Sequence, residues 1–171
     1  EYTVPQGVEK IDDSAFARSG DLKKICVPDS VKKIGSWSFS NMDSLSAVIF
    51  DSFKIRIDRS AFGMDYNAKL LCTQKAAVNS EGDRIWWDKV PNASYYEVYQ
   101  KLNNGEYKLL ITTKALASRF TTLTKGKSYT FAVKPVAVIP AANYNKEKDE
   151  DIYPESFTIE GTMSEDIVVR G

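Results

Sequence analysis

The sequence predicts a mainly β protein, a short solenoid of three 23-residue repeats followed by an all-β sandwich. Three observations carry this expectation. Residues 1–75 match themselves when slid by 23 positions, residues 76–171 read as short alternating strands parted by turn residues, and 171 residues suffice for two small cores.

The repeat is read first, because a missed repeat misassigns the whole fold. A shift of 23 aligns Val4-Pro5 with Val27-Pro28, Val8 with Val31, Lys10-Ile11 with Lys33-Ile34, Phe16 with Phe39 and Leu22 with Leu45. A third copy follows, with Phe50 in the Val4 place, then Ile57, Ala61-Phe62 and Leu71, the last taken to match Ile25. Within a copy, Leu22 to Val27 has strand character, with Leu22, Ile25 and Val27 turned inward and Lys24 and Cys26 outward. Pro28 ends the strand because it lacks the N–H a ladder needs. One such unit cannot bury its apolar face alone, so the copies are expected to stack and share a core.

The segments Val4-Pro5-Gln6-Gly7-Val8-Glu9-Lys10-Ile11-Asp12-Asp13-Ser14-Ala15-Phe16 and Val27-Pro28-Asp29-Ser30-Val31-Lys32-Lys33-Ile34-Gly35-Ser36-Trp37-Ser38-Phe39 resemble the BspA-like leucine-rich repeat. The resemblance covers residues 1–75. It implies a secreted or cell-surface protein of a bacterium or microbial eukaryote, with adhesion or host-protein binding as its role. The third copy departs from the pattern, with Asp51 at the Pro place and Lys54 at the Val8 place, as suits a terminal repeat. The first copy begins without a cap, so residues 1–75 are expected to be the C-terminal end of a longer array.

In this alignment Cys26 and Cys72 lie two periods apart and share one position, with Ile49 between them. Strands two apart in a stack are separated by about 10 Å, beyond the roughly 7 Å Cα spacing a disulfide allows. The outward face is therefore expected to carry Cys26, Ile49 and Cys72 in a row, with Ala47 and Leu70 beside them. Such an apolar stripe is a candidate contact surface.

From residue 76 the period stops. Arg84-Ile85-Trp86-Trp87-Asp88 alternates, Pro91-Asn92-Ala93-Ser94 turns, and Tyr95 to Lys101 alternates again. Asn103-Asn104-Gly105 is a hairpin turn, and further strands are expected at Glu106–Thr112, Ser118–Leu123, Ser128–Val138 and Asp166–Arg170. Ile85-x-Trp87, Tyr96-Glu97-Val98-Tyr99 and Leu123-Thr124-Lys125-Gly126-Lys127-Ser128-Tyr129 together resemble a fibronectin type III domain over residues 76–171. The resemblance makes Trp87 and Tyr96 core residues and Leu123 with Tyr129 a tyrosine-corner pair. Lys125 stands where that family usually has Pro, and Ile139 to Met163 reads as a long insertion before the last strand.

Loops on a rigid sandwich often carry function, so Tyr144 and Tyr153 in the insertion are candidate contacts. Its acidic run is interrupted by Lys146 and Lys148, which disfavours a calcium site needing six to eight oxygens. Alternation sends Trp86 outward, where an exposed Trp is a candidate interface anchor.

The composition narrows the function. There are 23 basic and 23 acidic residues, and no histidine. Zero net charge, split evenly between residues 1–75 and the remainder, argues against nucleic acid. Lack of histidine removes the commonest general base and zinc ligand. The most apolar stretch, Ala132–Ala142, contains Lys134, Pro135 and Pro140 and is too short to span a bilayer. No phosphate loop or paired-cysteine metal motif is present. The expectation is a non-catalytic, cofactor-free, extracellular interaction protein whose partner is a protein ligand or host surface component. A carbohydrate- or cell-wall-binding accessory module, suggested by Trp86 and the tyrosines, and an architectural spacer are the alternatives. Mass spectrometry of non-reduced peptides is expected to show no Cys26–Cys72 link, and finding one would overturn the stacking.

Overall fold

The computed structural model describes residues 1–64, 66–145 and 153–171. In chain order the strands are β1 (Tyr2–Thr3), β2 (Lys10–Ile11), β3 (Lys24–Val27), β4 (Lys33–Ile34), β5 (Ala47–Phe50), β6 (Arg56–Ile57), β7 (Lys69–Cys72) and β8 (Val78–Glu81). There follow β9 (Arg84–Trp87), β10 (Tyr95–Lys101), β11 (Tyr107–Thr113), β12 (Ala117–Arg119), β13 (Ser128–Pro140), β14 (Ser156–Glu160) and β15 (Ile167–Arg170). No helix occurs among the described residues. The chain divides into one unit of Glu1–Thr73 with Val138–Ile159 and another of Gln74–Ala137 with Glu160–Gly171.

The first unit is a two-ladder solenoid. One ladder runs β1-β3-β5-β7-β14 and the other β2-β4-β6. Pairing is parallel with a 23-residue offset at Ile25↔Val48 and at Ile34↔Ile57. Ile25, Val27, Val48 and Phe50 face the core because alternate strand residues share a face. A ring ladder runs beside them, from Tyr2 through Phe16, Phe39 and Phe62 with centroid spacings of 5.4, 5.7 and 5.1 Å.

The third copy corrects the expected alignment. Phe50 pairs with Cys72 and Ile49 with Leu71, an offset of 22 rather than 23. One residue is missing between Ile57 and Lys69 relative to the earlier copies. In a strand a one-residue shift exchanges the two faces. Cys72 and Leu70 therefore point inward and are buried, and the outward row is Thr3, Cys26, Ile49 and Leu71. Cys26 and Cys72 lie on opposite faces of the sheet, which separates them more firmly than strand spacing alone.

The second difference concerns residues 138–159. The expected boundaries at 75 and 76 place them in the sandwich as an insertion, whereas their contacts put them with the repeats. Ala142 forms a parallel bridge to Asp58, with its N–H donating to the Ile57 carbonyl at 2.8 Å and its carbonyl accepting from Arg59 N–H at 3.0 Å. It thus adds a rung to the β2-β4-β6 ladder. β14 adds one beside β7, and Phe157 continues the ring ladder at 5.7 Å from Phe62. The residues Lys146–Asp151, where the sequence shows its acidic run, lie outside the described residues.

Buried Asp58 holds this rung. Its Oδ1 accepts from the Ser60 N–H at 3.0 Å and the Ser60 hydroxyl at 2.8 Å, and its Oδ2 accepts from the Asn143 amide.

The second unit is a β-sandwich with the strand order of a fibronectin type III fold. One sheet is β12-β9-β8, and the other runs β15-β13-β10-β11. Trp87 and Tyr96 pack between them with ring centroids 5.5 Å apart, and Phe120 stacks on Phe131 at 4.0 Å. The Tyr96 hydroxyl accepts from Val90 N–H at 2.8 Å, which lets a buried phenol keep a partner. The Tyr129 hydroxyl accepts from Thr124 N–H at 3.2 Å, the contact of a tyrosine corner. The β10–β11 hairpin turns at Gly105, whose φ of 86° suits glycine.

Burial alone would raise the Asp58 pKa, but the Ser60 and Asn143 hydrogen bonds outweigh it and hold the carboxyl below its ordinary value. A depressed folded pKa contributes stability above the unfolded value and loses it as pH falls through the folded one. Asp58→Asn is expected to lower stability at pH 7 by about 1–3 kcal/mol and to flatten the loss of Tm below about pH 4. Thermal melts across that range check both.

Candidate functional site

Two surfaces stand out, one on each unit. On the repeats, the turns of copies two and three enclose a groove of about 440 Å³ lined by Trp37, Asn41, Asp43, Met64, Tyr66 and Asn67, among others. Trp37 has φ 56° and is 40% exposed. Positive φ in a bulky residue is a genuine outlier. The corresponding residues of copies one and three are Ser14 and Ser60, so the repeat does not require an aromatic there.

The Trp37 indole is held from two directions. It meets the Tyr153 ring edge to face at 5.7 Å and 84°, and it lies over Gly63, where an added Cβ would come 3.9 Å from Cζ3. The Arg59 guanidinium lies over the Tyr153 ring, 5.2 Å from its centroid. Tyr66 stacks on Phe62 at 4.7 Å, and burial pushes its phenol pKa up. Among the described residues no hydrogen bond reaches the Tyr66 hydroxyl.

On the sandwich, β11 ends its sheet among the described residues. Tyr107, Leu109, Leu110 and Ile111 are all exposed, as are Leu102 and Leu116 just beyond the strand. Leu110 is the extra residue of a bulge, since Val98 pairs with Ile111 and Tyr99 with Leu109. An apolar edge with unpaired backbone groups is a template for another strand.

Beside it, Lys134 bonds Glu97 at 2.9 Å and Glu160 at 2.8 Å and lies 5.4 Å over the Tyr99 ring. Tyr99 donates to Glu97 at 2.5 Å. Burial would lower the Lys134 pKa, but the two carboxylates outweigh it and raise it. These charges satisfy one another, so the cluster stabilises the sheet face and offers no poised acid or base.

The structure separates the residues singled out by sequence. Cys26 and Ile49 are half-buried neighbours on the outward row, and the Cys26 thiol donates to Glu1 at 3.4 Å. Cys72 and Leu70 leave that row for the core. Trp86 points outward, as alternation predicts, but is half-buried with the Arg84 guanidinium 5.9 Å from its ring. Tyr144 donates to Glu155 at 2.8 Å, and Tyr153 joins Trp37. Trp37, Tyr66 and the β11 residues were not singled out by sequence. Their signals were a Trp at the Ser place of one repeat, and the run Leu109-Leu110-Ile111, which no strand can turn wholly inward.

Family models match both parts of the chain. One, described as BspA type Leucine rich repeat region (6 copies), matches residues 1–82. Another, described as GH85 endohexosaminidases, C-terminal domain, matches residues 67–153. No curated protein matches.

Solved structures are similar as well. "Crystal Structure of FN3tt" is 23% identical, covers 56% of this chain and 90% of its own, and has a TM-score of 0.32. "Structure of FN3tt mut" is 26% identical over 51% and 88%, with a TM-score of 0.31. An Fn3-like protein from Clostridium thermocellum is 17% identical over 52% and 84%, with a TM-score of 0.30. The sandwich assignment rests on the strand order and core described above.

The corrected register has a chemical consequence. Cys72 is buried, while Cys26 is half-buried with its thiol pKa raised by burial and by Glu1. A thiol reagent is expected to label Cys26 slowly in the folded protein and Cys72 only after unfolding. Equal labelling of both in the native state would restore the 23-residue offset.

Proposed function

The chain belongs over residues 67–153 to the GH85 endohexosaminidases, C-terminal domain, family, and from that premise we propose that it is a non-catalytic extracellular interaction module that engages a protein ligand through the β11 edge. That description names the C-terminal domain of endohexosaminidases and says nothing of what the domain binds. The histidine-free composition supports a role without acid–base catalysis. The BspA-type segment, read beside the sandwich, supports a place at the cell surface and a role in adhesion.

The observation that carries the reading is the exposed apolar edge. Six large apolar side chains lie on or beside one terminal strand, against the usual blunting of edges by charge or cover. Lys108 is the one charge within β11. An extended segment of a partner could add to this edge, taking hydrogen bonds from its backbone and contacts from Leu109 and Ile111. The bulge at Leu110 interrupts the edge and so favours a defined partner strand over open-ended stacking.

The test is surface plasmon resonance against purified extracellular-matrix proteins, with the whole chain and a Leu109→Lys/Ile111→Lys variant. Both side chains are exposed, so the variant is expected to keep its Tm within a few degrees. Binding to at least one matrix protein, weakened about tenfold or more in the variant, is expected. Absence of any binding, or equal binding by the variant, would refute the reading.

A further inference from the structure

We propose that the groove between the turns of repeats two and three binds a neutral oligosaccharide, with Trp37 as its stacking platform and Tyr66, Asn41, Asn67 and Asp43 as its hydroxyl partners. This site is on the repeat unit and stands apart from the β11 reading.

Four features converge on that ligand class. The first is a fixed aromatic face. Trp37 holds a backbone conformation rare for its kind while staying 40% exposed, and Tyr153 and Gly63 fix the ring in place. The counterpart Ser14 has the same backbone conformation, φ 59°, so the turn imposes it, and an exposed aromatic placed there, where the other copies have serine, points to a use beyond folding. A pyranose presents an apolar C–H face to such a ring.

The second feature is an incomplete hydrogen bond. The Tyr66 side chain is half-buried, and its hydroxyl makes no hydrogen bond among the described residues while staying open to solvent, so it is available to a ligand hydroxyl. Its ring is stacked on Phe62, so the hydroxyl is presented without loss of side-chain freedom on binding.

The third feature is the polar lining. Asn41 and Asn67 each bring one acceptor and one two-proton donor, and Asp43 brings acceptors. Sugar hydroxyls, which donate and accept together, use both kinds. Among the described lining residues there is no Lys or Arg, so they offer an anionic ligand no counter-charge. A quaternary cation could use the Trp37 face and Asp43 but would leave the amides unused.

The fourth feature is size. A volume of about 440 Å³ falls toward the lower end of ligand pockets, which run from roughly 300 to 1,000 Å³, and suits a short glycan.

The experiment is isothermal titration of the whole chain with cellobiose, maltotriose and diacetylchitobiose, beside tetramethylammonium chloride and a sulfated disaccharide. Trp37→Ser installs the residue of copies one and three, so it is expected to fold, with Tm as the check. Tyr66→Phe removes a single hydroxyl, and Trp86→Ala tests the other outward tryptophan.

Saturable binding of at least one neutral saccharide is expected. Trp37→Ser should weaken it about tenfold or more, Tyr66→Phe about threefold to tenfold, and Trp86→Ala not at all. The proposal is overturned if no neutral saccharide of the panel binds, if Trp37→Ser binds as the parent does, or if either charged probe binds more tightly than every sugar.

Discussion

The last rung of a solenoid must be covered, and the architecture of this chain follows from how that is done. Parallel ladders of the kind formed by β3, β5 and β7 leave a row of unpaired backbone groups and an apolar ring face at the final copy. Here the cover comes from Val138–Ile159, far along the chain from the third repeat. It supplies a rung to each ladder, through Ala142 on Asp58 and through β14 beside β7, and a fifth ring, Phe157, to the ladder that begins at Tyr2. Asp58 is the point on which this closure turns, since a buried carboxylate is tolerated only when its lone pairs are used. Ser60 and Asn143 use them.

This closure explains why the third copy departs from its predecessors. Its lost residue changes which side chains the last strand sends inward, and Leu70 with Cys72 takes the place of the Val48 and Phe50 pair. Lys54 and Asp51, which break the repeat pattern, are exposed. The terminal copy is thus adapted to a capping rung that is not itself a repeat. Along the chain, the excursion leaves the sandwich after Ala137 and returns at Glu160, so a single strand, β13, begins in one unit and ends in the other.

The two candidate surfaces ask for different chemistry. The groove beside Trp37 combines aromatic carbon with amide and carboxylate groups, whereas β11 offers aliphatic side chains and a bare backbone edge. Charge contributes little to either. The strongest ionic cluster, around Lys134, is closed on itself through Glu97 and Glu160. Recognition at either proposed surface would therefore rest on shape, apolar contact and hydrogen-bond geometry, in keeping with the even balance of charge.

The sequence by itself determined the two modules, the first through its 23-residue period and the second through short alternating strands and a family resemblance. A 23-residue spacing of Val, Ile and Phe is satisfied by stacking, and the short alternating strands parted by turns mark the sandwich, in which the family resemblance gave Trp87, Tyr96 and Tyr129 their places. Trp86 and Trp87 were rightly assigned to opposite faces by alternation alone. The tertiary structure decided what periodicity does not encode. It decided the face on which Cys72 lies, since a single missing residue inverts a strand while leaving its composition unchanged. It decided that the segment after Ala137 completes the solenoid, a contact between positions about 85 residues apart, which no local pattern can report. It also brought Trp37, Tyr66 and Tyr153 into one cluster, because a groove is made by the packing of turns and belongs to no single stretch of chain.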